Sequence, residues 1–112
     1  MIGIDIVENS RMTNKDEQFI KRILSDKEQE KFNSFNSEDR KIQYLASRFA
    51  AKEAIFKVFK EGKLDFNYND ISILNHENGS PYIIMKNEIK TNLEISISHE
   101  KNYSVAIVMK TK

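Results

Sequence analysis

The longest regular pattern in the chain is helical and covers residues 38–60, a segment that starts after Ser37, a good helix cap, and contains neither Gly nor Pro. At about 100° per residue, its apolar side chains form one stripe: Ile42, Leu45, Ala46, Phe49, Ala50 and Phe56. Glu53 falls in the middle of this stripe, and Lys57 lies one turn further along. An ionised carboxylate that faces a core requires a partner. The pattern leaves two partners open: Lys57 in an ordinary i,i+4 pair, or a bound metal or other cation.

Shorter alternating patterns predict strands. Residues 2–7 alternate, with Gly3, Asp5 and Val7 on one face. Two apolar runs, 70–74 and 82–85, flank an Asn-Gly turn, and two more, 93–98 and 103–109, flank residues 99–102. We therefore expect one α+β domain over residues 1–112, in which a small antiparallel sheet packs on the long central helix.

Two short helices are predicted before the central one. Residues 13–24 form an amphipathic segment that Thr13 or Asn14 can cap. Ser25 and Glu28 have the spacing of a capping box, which predicts a second helix toward residue 35.

Composition narrows the class of protein. A chain of 112 residues with 39% hydrophobic and 31% charged residues is typical of one soluble globular domain. No apolar run approaches the ~20 residues that span a bilayer, we expect no signal peptide, and the absence of Cys fits a cytoplasmic protein. A net charge of +1 provides no general attraction for nucleic acid or membrane. Two distant His and no Cys argue against zinc, and no phosphate-binding Walker loop is present.

Four motifs follow one another in a set order. They are Gly-Ile-Asp-Ile-Val-Glu with Asp5, Arg-Phe-Ala-Ala-Lys-Glu-Ala with Glu53 and then Lys57, a Gly-Ser-Pro turn, and Ser-Ile-Ser-His ending at His99. Together they closely resemble the holo-acyl-carrier-protein synthase family, the short type of 4′-phosphopantetheinyl transferase, over roughly residues 2–109. The resemblance implies the fold of these transferases and a homotrimer with active sites at the subunit interfaces.

The resemblance also implies a reaction. A member of this family transfers 4′-phosphopantetheine from coenzyme A to a serine of apo acyl carrier protein and releases adenosine 3′,5′-bisphosphate. Asp5 and Glu53 would bind Mg²⁺, a cation that prefers one or two carboxylates together with water and phosphate oxygens. Lys57 would stabilise or protonate the leaving group, and a water relayed by Glu53 is one option for the general base. The candidate coenzyme A contacts are Arg48, Gly79, Ser80, Pro81 and His99.

Alternatives remain for several of these residues. Asp5 could be a strand-end carboxylate turned to solvent, and His99 a structural hydrogen-bonding group. The basic side chains around the first helix, Arg11, Lys15, Lys21 and Arg22, are either an ordinary solvated face or, as the resemblance implies, the docking surface for the acidic carrier protein.

The chain departs from the family after the central helix. Relatives carry a glycine-rich stretch there, whereas residues 61–66 contain only Gly62, which we expect to end the helix. Two other functions stay open: a different Mg²⁺-dependent phosphoryl transferase or hydrolase, or a non-catalytic trimeric binding module.

Overall fold

The central helix is the element on which the other parts of the chain pack. In the computed structural model, which describes residues 1–59 and 65–111, this helix is α3. The helices are α1 (Glu17–Ile23), α2 (Asp26–Ser34) and α3 (Glu38–Val58), with 3₁₀ turns at Asn9–Met12 and Tyr68–Asp70. The strands are β1 (Ile2–Glu8), β2 (Ile71–Asn75), β3 (Pro81–Met85), β4 (Glu88–Ile89), β5 (Leu93–His99) and β6 (Tyr103–Lys110). The predicted cap at Gly62 lies outside the described residues.

The strands form two antiparallel sheets, and the expected single sheet was wrong. One sheet has the order β1-β6-β5 and the other has the order β2-β3-β4. The predicted hairpins are present as β2–β3 and β5–β6, but they belong to different sheets. The physical reason is that each central strand has both edges occupied: β2 and β4 flank β3, while β1 and β5 flank β6.

Two of the three predicted helix starts are confirmed. Ser25 accepts a hydrogen bond from the Glu28 amide and completes the capping box of α2, and Ser37 caps α3. The predicted cap of α1 at Thr13 or Asn14 was wrong, because Thr13 follows the 3₁₀ turn in an extended conformation and Asn14 has a φ of 59°. Asp16 caps α1 instead, its Oδ1 accepting from the Phe19 amide at 2.8 Å.

β1 lies in direct contact with α3, and Gly3 makes this possible. A Cβ at Gly3 would lie 2.1 Å from the carbonyl oxygen of Ala54 on α3, closer than atoms can approach. The helix surface here is built of fully buried alanines, among them Ala50 and Ala54. Backbone contact between strand and helix therefore brings Asp5, two residues beyond Gly3 on the same face, against α3.

No helix among residues 1–59 and 65–111 is long and apolar enough to cross a bilayer.

Candidate functional site

Asp5 faces the central helix and not bulk solvent, so the strand-end alternative was wrong. It lies within β1, between the buried Gly3 and Val7, and its side chain is 19% exposed. The Lys57 ammonium lies 3.2 Å from Asp5 Oδ1 and donates to the carbonyl oxygen of Ile4 at 2.8 Å. Lys57 thus joins α3 to β1 at the residue that the motifs single out.

Glu53 has a different partner from the one that helical spacing suggested. Its carboxylate accepts a short hydrogen bond from the hydroxyl of Tyr68. Within the described residues no ion pair joins Glu53 to Lys57, because the Lys57 side chain extends across to β1. The i,i+4 alternative was therefore wrong. The expected partial burial of the Lys57 ammonium was wrong too, since its side chain is 55% exposed.

The electrostatics of Tyr68 link the two carboxylates. Burial raises the pKa of the Tyr68 hydroxyl, and the hydrogen bond to Glu53, the Glu53 charge and the Asp5 charge raise it further. The same phenol therefore senses Asp5 on β1 and Glu53 on α3. The two carboxylates border one region, with Lys57 as the cation at its edge.

The chemistry of this donor set fits Mg²⁺. Among the described residues no cluster of three or more His, Cys, Asp or Glu side chains is in position to hold a metal. Two carboxylates on rigid elements leave most coordination positions to water and to substrate oxygens, which is the usual arrangement for Mg²⁺. Asp5 and Glu53 are the residues that would hold it.

Arg48 is placed inside the protein, next to the predicted turn. Its guanidinium donates to the Ile73 carbonyl at 3.2 Å, to Ser47 Oγ at 3.2 Å and to Asn75 Oδ1 at 2.7 Å. These bonds use three of the five N–H groups of the arginine. The side-chain amide of Asn75 in turn donates to the Gly79 carbonyl at 2.9 Å. Arg48 is thereby connected, through one residue, to the turn.

The turn before β3 is well defined. Gly79 has a φ of 91°, which favours glycine, and its amide donates to the His76 carbonyl. Ser80 Oγ donates to Asn78 Oδ1 at 2.7 Å, and Pro81 begins β3 as predicted. A pocket of about 380 Å³ lies beside Arg48, and its lining includes Lys27, Lys31, Tyr44, Arg48, Asn75 and Tyr82.

His99 ends β5 and is exposed. Its Nδ1 lies 3.1 Å from the side-chain oxygen of Gln43 on α3. The structure therefore gives His99 a hydrogen-bonding partner on the central helix and leaves its ring accessible.

The predicted docking residues are exposed but do not share one helix. Arg11 belongs to the 3₁₀ turn, so the continuous helix through Arg11 and Arg22 was wrong. Lys15 and Arg22 both lie over the ring of Phe19, at 4.9 and 5.9 Å from its centroid. Lys21 pairs with Glu17 at 3.2 Å. Lys15 and Arg22 are thus brought together.

Lys52, which precedes Glu53, was missed by the sequence reasoning. It is completely buried, and its ammonium donates to the Ile23 carbonyl at 2.6 Å and makes a short bond to Glu28 Oε1. Burial lowers the pKa of Lys52, and the Glu28 charge opposes this shift. A signal existed, because position 52 lies one heptad after the buried Leu45 on the same side of the helix.

Tyr68 was also missed. It stands in the 3₁₀ turn between the end of α3 and β2, and no periodic pattern includes it. Only the three-dimensional contact with Glu53 identifies it.

Comparison with known proteins gives consistent results. The profile of the 4′-phosphopantetheinyl transferase superfamily matches residues 1–108. The holo-[acyl-carrier-protein] synthase of Acholeplasma laidlawii is 41% identical, over 99% of this chain and 96% of its own length. The enzyme of that name from Anoxybacillus flavithermus is 44% identical, over 96% of this chain and 92% of its own.

Solved structures agree. The crystal structure of a holo-(acyl-carrier-protein) synthase from Bacillus anthracis, in complex with CoA (3′,5′-ADP), has a TM-score of 0.83 and 33% identity, covering 99% of this chain and 96% of that one. The Helicobacter pylori enzyme in complex with coenzyme A has a TM-score of 0.78 and 27% identity, covering 99% of this chain and all of that one. Identity and coverage at this level show that the chain belongs to the holo-[acyl-carrier-protein] synthase family of the 4′-phosphopantetheinyl transferase superfamily.

Proposed function

We propose that this enzyme transfers 4′-phosphopantetheine from coenzyme A to a serine hydroxyl of apo acyl carrier protein, with Mg²⁺, and releases adenosine 3′,5′-bisphosphate. The observation that carries the proposal is the meeting of Asp5, Glu53 and Lys57 where β1 touches α3. Family membership supports the reaction, and the coenzyme A complexes of two similar structures support the donor.

Asp5 and Glu53 hold the metal in this proposal. Bound Mg²⁺ would supply positive charge to the pyrophosphate oxygens of coenzyme A. The strand and the helix keep the two carboxylates in place before substrate binds, so little reorganisation is required.

Lys57 acts through its charge. Its ammonium is half-exposed and held by Asp5 and by the Ile4 carbonyl, so it stands at the open side of the site. A cation there stabilises negative charge on the leaving phosphate, and proton donation is a secondary role.

Arg48, Gly79, Ser80, Pro81 and His99 are assigned to coenzyme A. Arg48 keeps the Gly79 turn in place through Asn75 and retains two N–H groups for a phosphate. The pocket beside Arg48, with Lys27 and Lys31 in its lining, has a charge that suits a nucleotide phosphate. His99 remains accessible for a further phosphate contact.

Lys15 and Arg22, gathered over Phe19, form the centre of the proposed carrier-protein docking surface, together with Arg11 and Lys21. An acidic partner would be attracted to this surface, and salt would weaken the attraction.

We also propose the homotrimer. The face of the β1-β6-β5 sheet that points away from α3 exposes large apolar side chains: Ile2, Ile4, Ile6, Ile107 and Met109. Ile4 pairs with Ile107 and Ile2 with Met109, so these side chains are contiguous. Contiguous exposed apolar area of this kind marks an interface. Ile4→Lys should convert the assembly to monomers in light scattering, and a parent that is monomeric at micromolar concentration would refute the trimer.

The proposed reaction is tested by intact-mass spectrometry of an apo acyl carrier protein incubated with the enzyme, coenzyme A and Mg²⁺. We expect one serine to gain the mass of one phosphopantetheine group, and the gain to disappear when EDTA replaces Mg²⁺. A gain of phosphate alone would indicate another phosphoryl transferase. No gain from a folded enzyme with any apo carrier protein would indicate a binding module.

A further inference from the structure

Tyr68 forms a contact with the proposed metal-binding carboxylate that none of the sequence motifs contains. Its hydroxyl donates to Oε2 of Glu53, and it is the one hydrogen-bond donor to Glu53 among residues 1–59 and 65–111. The bond joins the turn Tyr68–Asp70 to the middle of α3.

The Tyr68 ring is held by two aromatic neighbours on α3. It meets the rings of Phe49 and Phe56 edge to face, with centroids 5.9 and 4.9 Å away. Phe49 lies one turn before Glu53 and Phe56 lies one turn after it. The two phenylalanines thus bracket the carboxylate, and the tyrosine between them aims its hydroxyl at Glu53.

The backbone that carries Tyr68 is also anchored. Asp70 Oδ2 accepts from the Asn67 amide at 2.9 Å and closes a capping box around the turn. The side-chain amide of Asn69 donates to the Lys21 carbonyl of α1 at 3.1 Å. The turn is therefore fixed to α1 while Tyr68 contacts α3.

We propose that Tyr68 is a positioning residue for Glu53. Its hydroxyl occupies Oε2, fixes the rotation of the carboxylate and leaves Oε1 as the oxygen that Glu53 presents to Mg²⁺. Hydrogen bonds from a neighbouring group to a metal ligand orient the ligand and reduce the entropy it loses on binding the metal. The inference rests on the proposed function of Glu53, and Tyr68 itself touches neither substrate nor metal.

Tyr68→Phe tests this directly, since it removes the hydroxyl and preserves the ring between Phe49 and Phe56. We expect the Mg²⁺ concentration for half-maximal transfer to rise by about 10-fold to 100-fold, the usual effect of removing such a partner. Calorimetric titration of MgCl₂ into the enzyme saturated with coenzyme A, with a coenzyme A blank subtracted, should show the same weakening. The KM for carrier protein should change by less than about threefold.

Phe49→Leu is the matched control, because it loosens the ring packing and keeps the hydroxyl. We expect it to lower the melting temperature more than Tyr68→Phe does, with Mg²⁺ affinity within about threefold of the parent. Equal losses of Mg²⁺ affinity in both variants would show that ring packing, and not the hydrogen bond, is responsible. Parent-like Mg²⁺ affinity in Tyr68→Phe would overturn the inference alone, whereas a parent that neither binds Mg²⁺ nor transfers phosphopantetheine would overturn the proposed function with it.

Discussion

Lys52 and Lys57 stand on the same helix and make similar sets of bonds in very different surroundings. Each ammonium contacts one carboxylate and one backbone carbonyl: Lys52 meets Glu28 and Ile23, and Lys57 meets Asp5 and Ile4. The first pair is completely buried, whereas the side chains of Lys57 and Asp5 are 55% and 19% exposed.

The acceptor capacity of the two carboxylates differs as much as their burial. Glu28 also accepts from the Ser25 and Ile73 amides, at 2.9 and 2.8 Å, so both of its oxygens are used inside the protein. Asp5 accepts from Lys57 alone among the described residues. A carboxylate with spare acceptor capacity at an open position can bind a ligand, and a saturated buried one cannot. The comparison therefore assigns stability to Lys52 and function to Lys57.

The largest effect should come from Lys52→Met. It leaves the Glu28 charge buried without its partner, and breaking such a pair costs about 3–5 kcal/mol. Lys57→Met is the matched control at an exposed pair and should cost less than about 1 kcal/mol. Chemical denaturation measures both, and equal losses would remove the distinction between the two lysines.

Glu53→Gln should follow in size. The variant keeps the shape and the Tyr68 contact but loses the charge, so transfer at saturating Mg²⁺ should fall on the order of 10²-fold or more. Glu88→Gln, at an exposed glutamate of β4, should behave like the parent. Survival of transfer within a few-fold in Glu53→Gln would rule out the ligand role.

Sequence reasoning identified the site residues that lie in local motifs and missed their long-range contacts. Asp5 was found because a carboxylate in an alternating strand is unusual, and Glu53 because it interrupts an apolar stripe. The direction of Lys57 toward β1 depends on how closely the strand approaches the helix, which no local pattern encodes. Tyr68 stayed hidden for the same reason.

Elements were predicted well where their own side chains define the ends. The capping serines at 25 and 37 gave the starts of α2 and α3, and the Asn-Gly turn gave the β2–β3 hairpin. The division into two sheets was not predictable from the hairpins, because it depends on which strands occupy the edges of β3 and β6. The cap of α1 was misplaced because several residues before it are competent caps.

Gly3→Ala sharpens the comparison from the strand side. The added methyl meets the Ala54 carbonyl, so β1 must move away from α3. We expect a loss of about 1–3 kcal/mol in stability. Transfer should also fall at temperatures where the variant is fully folded, because Asp5 and Lys57 separate. A folded variant with parent-like transfer would show that the close approach of β1 is unimportant for the site.

The smallest effect belongs to the docking surface. Arg22→Glu should raise the KM for carrier protein a few-fold and leave the KM for coenzyme A unchanged, since an exposed pair contributes at most about 1 kcal/mol. Lys86→Glu, before β4, alters net charge equally and should have no such effect. The parent KM for carrier protein should rise with salt. Salt independence would place docking elsewhere.

The most direct test of the division between the two lysines is the rate of phosphopantetheine transfer by Lys57→Met, with Lys57→Arg beside it. We expect Lys57→Met to melt within a few degrees of the parent, to bind Mg²⁺ nearly as well, and to lose on the order of 10²-fold in kcat. Lys57→Arg should retain more activity because it keeps the charge, although its planar fork differs from a compact ammonium. A Lys57→Met enzyme that turns over like the parent, with Lys57→Arg inactive, would contradict the electrostatic role and make the position one of packing.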